Sequence, residues 1–71
     1  MTIDNYSRVT LVTDAYATEG VGMGAIGYVI EVYPDDKYEV EFSDNKGITI
    51  ALILVTAGEI ALCNRNDSDA I

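Results

Sequence analysis

A small all-β domain is the fold class that the sequence predicts, and three observations predict it. The chain has 71 residues, enough for one domain with a small core. Its apolar residues fall in short runs rich in Val, Ile and Tyr, and the clearest of these alternate apolar with polar. Pro, Asp, Asn and Gly punctuate the runs at short intervals, as the turns of antiparallel hairpins do. No linker, internal repeat or low-complexity stretch divides the chain, so residues 1–71 read as a single domain.

The elements follow in order. RVTLVT (8–13) is β-branched and ends at Asp14, which makes it the first expected strand. A loop runs from there through GMGAIG (22–27). IGYVIEVY (26–33) is the second strand, stopped by the tight-turn residues PDD (34–36). KYEVEFSD (37–44) alternates, with Tyr38, Val40 and Phe42 on one face and Glu39 and Glu41 on the other. DNKG supplies Gly47 for a positive φ, and ITIALILV (48–55) is the fourth strand. TAGE (56–59) predicts one 3-10 turn and EIALC (59–63) a last short strand. The ordered core is expected over residues 7–63, with NRNDSDAI (64–71) a frayed polar tail.

The PDD hairpin fixes a register. An odd-length loop places Val32 opposite Tyr38 and Ile30 opposite Val40, so that Ile26, Tyr28, Ile30 and Val32 share the core face. An even loop would set Glu31 against Val40 and bury a charge unless a bulge near Ile30 resets the phase. The odd loop is the expectation.

GMGAIG has the spacing Gly22-x-Gly24-x-x-Gly27 of a dinucleotide fingerprint. That motif needs a strand before the glycines and a helix after them to hold the pyrophosphate. Here a loop precedes and the strand-like YVIEVY follows, so the glycines predict sharp turning and close passage beside neighbouring strands. Charge points the same way. With 12 acidic and 4 basic residues the net charge is −8, which repels nucleic-acid backbone, anionic membranes and nucleotide phosphates and suits a basic protein partner.

The same stretch carries a family resemblance. Gly27, Val29, Glu31, Val32 and Tyr33, followed across a Pro/Asp turn by Tyr38, Glu39, Val40, Glu41 and Phe42, match a recurrent pattern of G-x-V-x-E-V-Y and then Y-E-V-E-F. Over roughly residues 8 to 62 the chain resembles the domain-of-unknown-function 4926 family of small bacterial proteins. The resemblance implies an SH3-like β-barrel of about five strands and brings no catalytic residues. Ala25 stands where the family tends to be acidic, and Leu54 where it tends to be polar; both make this chain's surface more apolar.

Enzymatic readings fare badly. The chain has no His, which removes Ser-His-Asp and Cys-His pairs and the commonest general base. Cys63 is alone, in an apolar run, and reads as a small buried hydrophobe. No intrachain disulfide, metal or cofactor is expected, and DNKGITI has Lys46 where a calcium ligand belongs. A domain this short buries only about 60% of its unfolded surface, which leaves association as the common source of added stability. MTIDNYSRV lacks the regions of a signal peptide and IALILV is too short to span a bilayer, so a cytoplasmic protein is expected.

ITIALILV is the strongest surface hint, because neither face is polar beyond Thr49. Ile48, Ile50, Leu52 and Leu54 share one face, and Thr49, Ala51, Ile53 and Val55 the other. Ile53 or Leu54 is expected to touch a second chain, extended by Tyr16 and Met23 of the long loop and by Glu39 and Glu41. The functional expectation is a non-catalytic protein-binding module, an acidic inhibitor of a basic partner of the immunity or antitoxin kind. The alternative is a homo-oligomeric assembly module.

Overall fold

A computed structural model describes residues 3–44 and 46–63; the expected tail, 64–71, lies outside the described residues. The strands are β1 (Arg8–Leu11), β2 (Ile26–Tyr33), β3 (Lys37–Ser43), β4 (Thr49–Thr56) and β5 (Ile60–Leu62). The helical turns among the described residues are two 3-10 turns, Ala17–Glu19 in the β1–β2 loop and Ala57–Glu59 before β5. The strands form one five-stranded antiparallel sheet in the order β4-β3-β2-β1-β5. The ladder is not closed into a barrel: β4 and β5 are its two edges, linked in sequence by the second 3-10 turn.

The core lies on one side of this sheet. Val9 and Leu11 of β1, Val29 of β2, Tyr38, Val40 and Phe42 of β3, Ile53 and Val55 of β4 and Ile60 of β5 form it. Val21, from the long loop, closes it at 1% exposure. Period two explains β3, where both glutamates face away from that core.

The turns set the registers. Tyr33 pairs with Lys37 and Val32 with Tyr38, so Pro34, Asp35 and Asp36 form the expected odd loop, with Asp35 and Asp36 both at positive φ. The expected core face of β2 nevertheless changes partway. A bulge between Val29 and Glu31 takes Ile30 out of register, so Val29, not Ile30, stands opposite Val40. Gly27 and Val29 then point inward, and Tyr28 turns outward at 46% exposure. β4 contains a second such irregularity. Phe42 pairs with Ala51 but Ser43 with Thr49, which skips Ile50. Asp44 holds the turn beneath it, accepting the Lys46 and Ile48 amides on Oδ1 at 2.8 and 3.0 Å.

Gly27 shows why the glycine motif exists. A Cβ there would lie 2.7 Å from Val40 Cγ1, 2.8 Å from the Glu41 carbonyl oxygen and 2.8 Å from Phe42 Cδ1. Only hydrogen fits where the Phe42 ring crosses β2. Gly24 sits at φ +94, a conformation that L side chains rarely adopt, and turns the loop into β2. These are the sharp turn and the close passage expected from GMGAIG, with β2 where a fingerprint would need a helix.

Candidate docking face

The side of the sheet away from the core is built from cross-strand rows. Residues directly opposite in an antiparallel pair point to the same side. One row runs Leu54, Glu39, Glu31 across β4, β3 and β2. The next runs Leu52, Glu41, Tyr28, Arg8 across β4, β3, β2 and β1. Leu52 and Leu54 are 52% and 54% exposed, so each open leucine of β4 stands beside a glutamate of β3.

Hydroxyls, not cations, hold the two β3 glutamates. The Tyr33 hydroxyl donates to Glu39 Oε1 at 2.8 Å, and Thr49 Oγ1 donates to Glu41 Oε2 at 2.9 Å. Accepting by Glu39 raises the Tyr33 pKa, with smaller contributions from desolvation and the Glu39 and Glu31 charges. Glu31 and Glu39 are directly opposed, an arrangement that costs a few tenths of a kcal/mol to ~1 kcal/mol on a sheet. At the Glu39 end of the face a shallow cavity of about 240 Å³ opens between Tyr33, Lys37, Glu39 and Leu54.

The expected contact residues divide between this face and other places. Leu54, Glu39 and Glu41 lie together on it. Ile53 does not: it is 5% exposed and packs in the core, because the irregularity at Ile50 turns Ile53 inward opposite Val40. Met23 is 64% exposed in the β1–β2 loop and is not in the rows. Tyr16 is half-buried against the core, and its hydroxyl donates to Glu59 Oε1 at 2.8 Å and approaches the Leu54 carbonyl oxygen at 3.5 Å. Glu59 also accepts the Thr56 amide at 2.9 Å within a capping box around the second 3-10 turn. Desolvation and then the bond to Glu59 push Tyr16 up to about 12, while the Thr56 amide and then Tyr16 hold Glu59 below its ordinary value.

Tyr16 therefore reaches from the long loop to the open edge of β4, and Gly20 passes near Ile50, with its Cβ position 3.7 Å from Ile50 Cγ2. A long uncharged edge strand is a template for unwanted pairing, and covering it with a loop is one way proteins blunt it. Sequence reading missed three members of this arrangement. Tyr28 faces outward only because of the bulge at Ile30. Glu31 lies on the turn side of that bulge, outward in the expected odd-loop register, but was not among the expected contacts. The Tyr33–Glu39 bond crosses the PDD turn, where an i, i+6 pair carries no sequence signature.

Elsewhere the chemistry is sparse. Cys63 is half-buried, with its sulfur 2.9 Å from Thr10 Oγ1. Among the described residues, no group of three or more His, Cys, Asp or Glu side chains could hold a metal ion, and no helix is long and apolar enough to cross a membrane.

The protein is thus a small antiparallel β-sheet domain with one face of mixed leucine, tyrosine and glutamate. Residues 5–62 match the family described as Domain of unknown function (DUF4926), and the chain belongs to it. Comparison with curated proteins and with solved structures finds no significant match.

Proposed function

We propose that the domain is a protein-binding module and not a catalyst, and that it docks a basic protein partner on the outer face of β2, β3 and β4. The register carries this reading: Leu52 and Leu54, both more than half exposed, stand opposite Glu41 and Glu39. Apolar surface left open on a small domain marks an interaction site, and a rim of carboxylates selects a cationic counterpart. The net charge of −8 adds long-range attraction for such a partner. An acidic domain that covers a cationic working surface acts as its inhibitor, and an immunity or antitoxin role in the cytoplasm is the specific form of the proposal. The order of elements supports an SH3-like fold type whose sheet stays open between β4 and β5: a long loop after β1, tight turns on both sides of β3 and a 3-10 turn before β5.

Two observations weigh against a homo-oligomeric assembly module. Stacking two such faces would press Glu31, Glu39 and Glu41 against their own copies. Pairing through the β4 edge would first have to displace Tyr16 from Leu54. The test combines capture and hydrodynamics. Immobilised wild type in native extract should retain a basic protein at low salt, lose it at high salt, and lose it when Leu52 and Leu54 are both replaced by Asp. The purified protein should sediment as a monomer. Dimerisation that depends on concentration and disappears in the same double variant would overturn the proposal in favour of assembly.

A further inference from the structure

Resting on that docking reading, we propose that the cavity between Tyr33, Lys37, Glu39 and Leu54 is the specificity pocket of the face and takes an arginine side chain of the partner.

Geometry separates arginine from other occupants. Glu39 Oε1 is engaged by the Tyr33 hydroxyl at 2.8 Å, and that bond places the ring beside the carboxylate. Oε2 takes no part in it. Glu31 stands directly across from Glu39 on the side away from Leu54, so a second carboxylate flanks Glu39 next to the cavity without lining it. A cation held at Glu39 weakens the repulsion within this like-charge pair. The planar guanidinium presents five donors in a fixed fork, which can serve two carboxylates at once, and its flat face can stack on the Tyr33 ring. Its aliphatic stem would lie along Leu54, which is 54% exposed. A lysine ammonium offers the charge but neither the fork nor the stacking plane.

Lys37 lines the same cavity and carries the wrong sign for this guest. It holds the site in check when empty and weakens a bound cation, so removing its charge should tighten binding.

A second copy docking through its described residues is a poor occupant. The arginine within its described residues, Arg8, lies in β1 at the far end of the adjoining row. Bringing it into a neighbour's cavity would stack two acidic faces.

The experiment uses the whole protein, isotopically labelled for amide spectra, and three matched peptides in which leucine alternates with arginine, lysine or citrulline. The arginine peptide should shift the amides of Tyr33, Glu39 and Leu54 and bind about tenfold tighter than the lysine peptide. The citrulline peptide, which keeps the shape and loses the charge, should leave those amides in place. Glu39→Gln, which keeps an oxygen for the Tyr33 hydroxyl, should abolish the preference for arginine. Lys37→Gln should strengthen binding of the arginine peptide. Equal binding of the arginine and lysine peptides at this face would overturn the arginine pocket and leave the docking face standing. Arginine preference that survives Glu39→Gln would overturn it too. Absence of shifts on the outer face with any cationic peptide would overturn both readings. Shifts of the same amides on concentrating the protein alone would replace the partner with a second copy.

Discussion

β3 and β4 are neighbours in one hairpin, and they solve the same problem in opposite ways. KYEVEFS alternates, so chemistry and burial agree: Tyr38, Val40 and Phe42 are buried, and Glu39 and Glu41 turn away. TIALILVT is apolar on both sides, yet burial alternates just as sharply, with Ile53 and Val55 at 5% and 1% and Leu52 and Leu54 above half exposed. The pleat imposes period two whatever the side chains are. In β3 the sequence obeys that period because water is on one side. In β4 it does not, and the difference locates the surface where water is a poor long-term neighbour.

The sharpest way to break this comparison is to exchange adjacent residues of β4. Ile53→Asp buries a carboxylate opposite Val40 with no partner and should remove several kcal/mol, enough to unfold a domain of this size. Leu54→Thr, one position on, should change stability by about 0.5 kcal/mol or less, because its side chain is already in water. Urea unfolding of both variants decides it. Comparable losses would mean that both faces of β4 are core.

The fold was legible in the sequence wherever residue type and position were coupled. Five strand runs, the PDD turn and its odd length, the TAGE turn and the inward set of β3 could all be read directly. What could not be read were two single-residue shifts. Counted outward from the Asp44 turn, Ser43 opposite Thr49 would set Val40 opposite Leu52 and send Leu52 inward; the skip at Ile50 reverses this and puts Ile53 there. The bulge at Ile30 likewise exchanges Tyr28 for Val29 in the core. Such bulges leave little trace in an apolar run, since every neighbour is as good a core residue as the one displaced. The candidate site suffers more than the fold, because a face is defined by phase. The carboxylates Glu39 and Glu41 and the side chain of Leu54 were foreseen as contacts; Tyr28, Tyr33 and Glu31 were not. Val21 and Tyr16 show a related limit. Their partners lie tens of residues away, and a loop sequence does not say which of its members will be drawn into a distant core.

Gly27 tests the meeting of β2 and β3 behind that face. Gly27→Ala places a methyl group within 3 Å of the Glu41 carbonyl oxygen and the Phe42 ring, and backbone cannot step aside as a side chain can. A loss of about 1–3 kcal/mol is expected, seen as a lower melting temperature. The same substitution at Gly22, where a Cβ meets nothing within 4 Å, should cost far less. Equal effects would mean that the glycines serve the loop and not the sheet.

The Tyr16–Glu59 latch sharpens the comparison from the edge of β4. Tyr16→Phe should cost about 1 kcal/mol, the worth of a partly exposed hydrogen bond to a charged group. Its pH dependence has two limits. Glu59 has a lowered folded pKa, so its contribution is present above the ordinary carboxylate range and is lost as pH falls through the folded value. Tyr16 is raised to about 12 from 10.0, so its contribution is present below pH 10.0 and is lost as pH rises toward 12. Wild type minus Tyr16→Phe, followed by chemical unfolding, should therefore show a plateau between those limits. Faster amide exchange at Leu52 and Leu54 in the variant would accompany opening of the covered edge. A flat difference across the whole pH range would mean that the latch is not formed in solution.

The smallest effect expected is also the one that separates stability from binding. Glu31 and Glu39 face each other across β2 and β3, and like charges so placed oppose folding. Glu31→Gln removes one of them without touching the Tyr33–Glu39 bond, and should stabilise the free domain by roughly 0.2–1 kcal/mol at low salt. Exposed charges are screened, so the gain should shrink toward zero in concentrated salt. A surface selected for stability alone would have made this exchange. If the face is kept acidic for a cationic partner, the stabilised variant should bind that partner less tightly, with the deficit closing in salt along with the gain in stability. A variant that is more stable and binds equally well would show that the carboxylate pair serves only solubility, and that the leucines of β4 act without it.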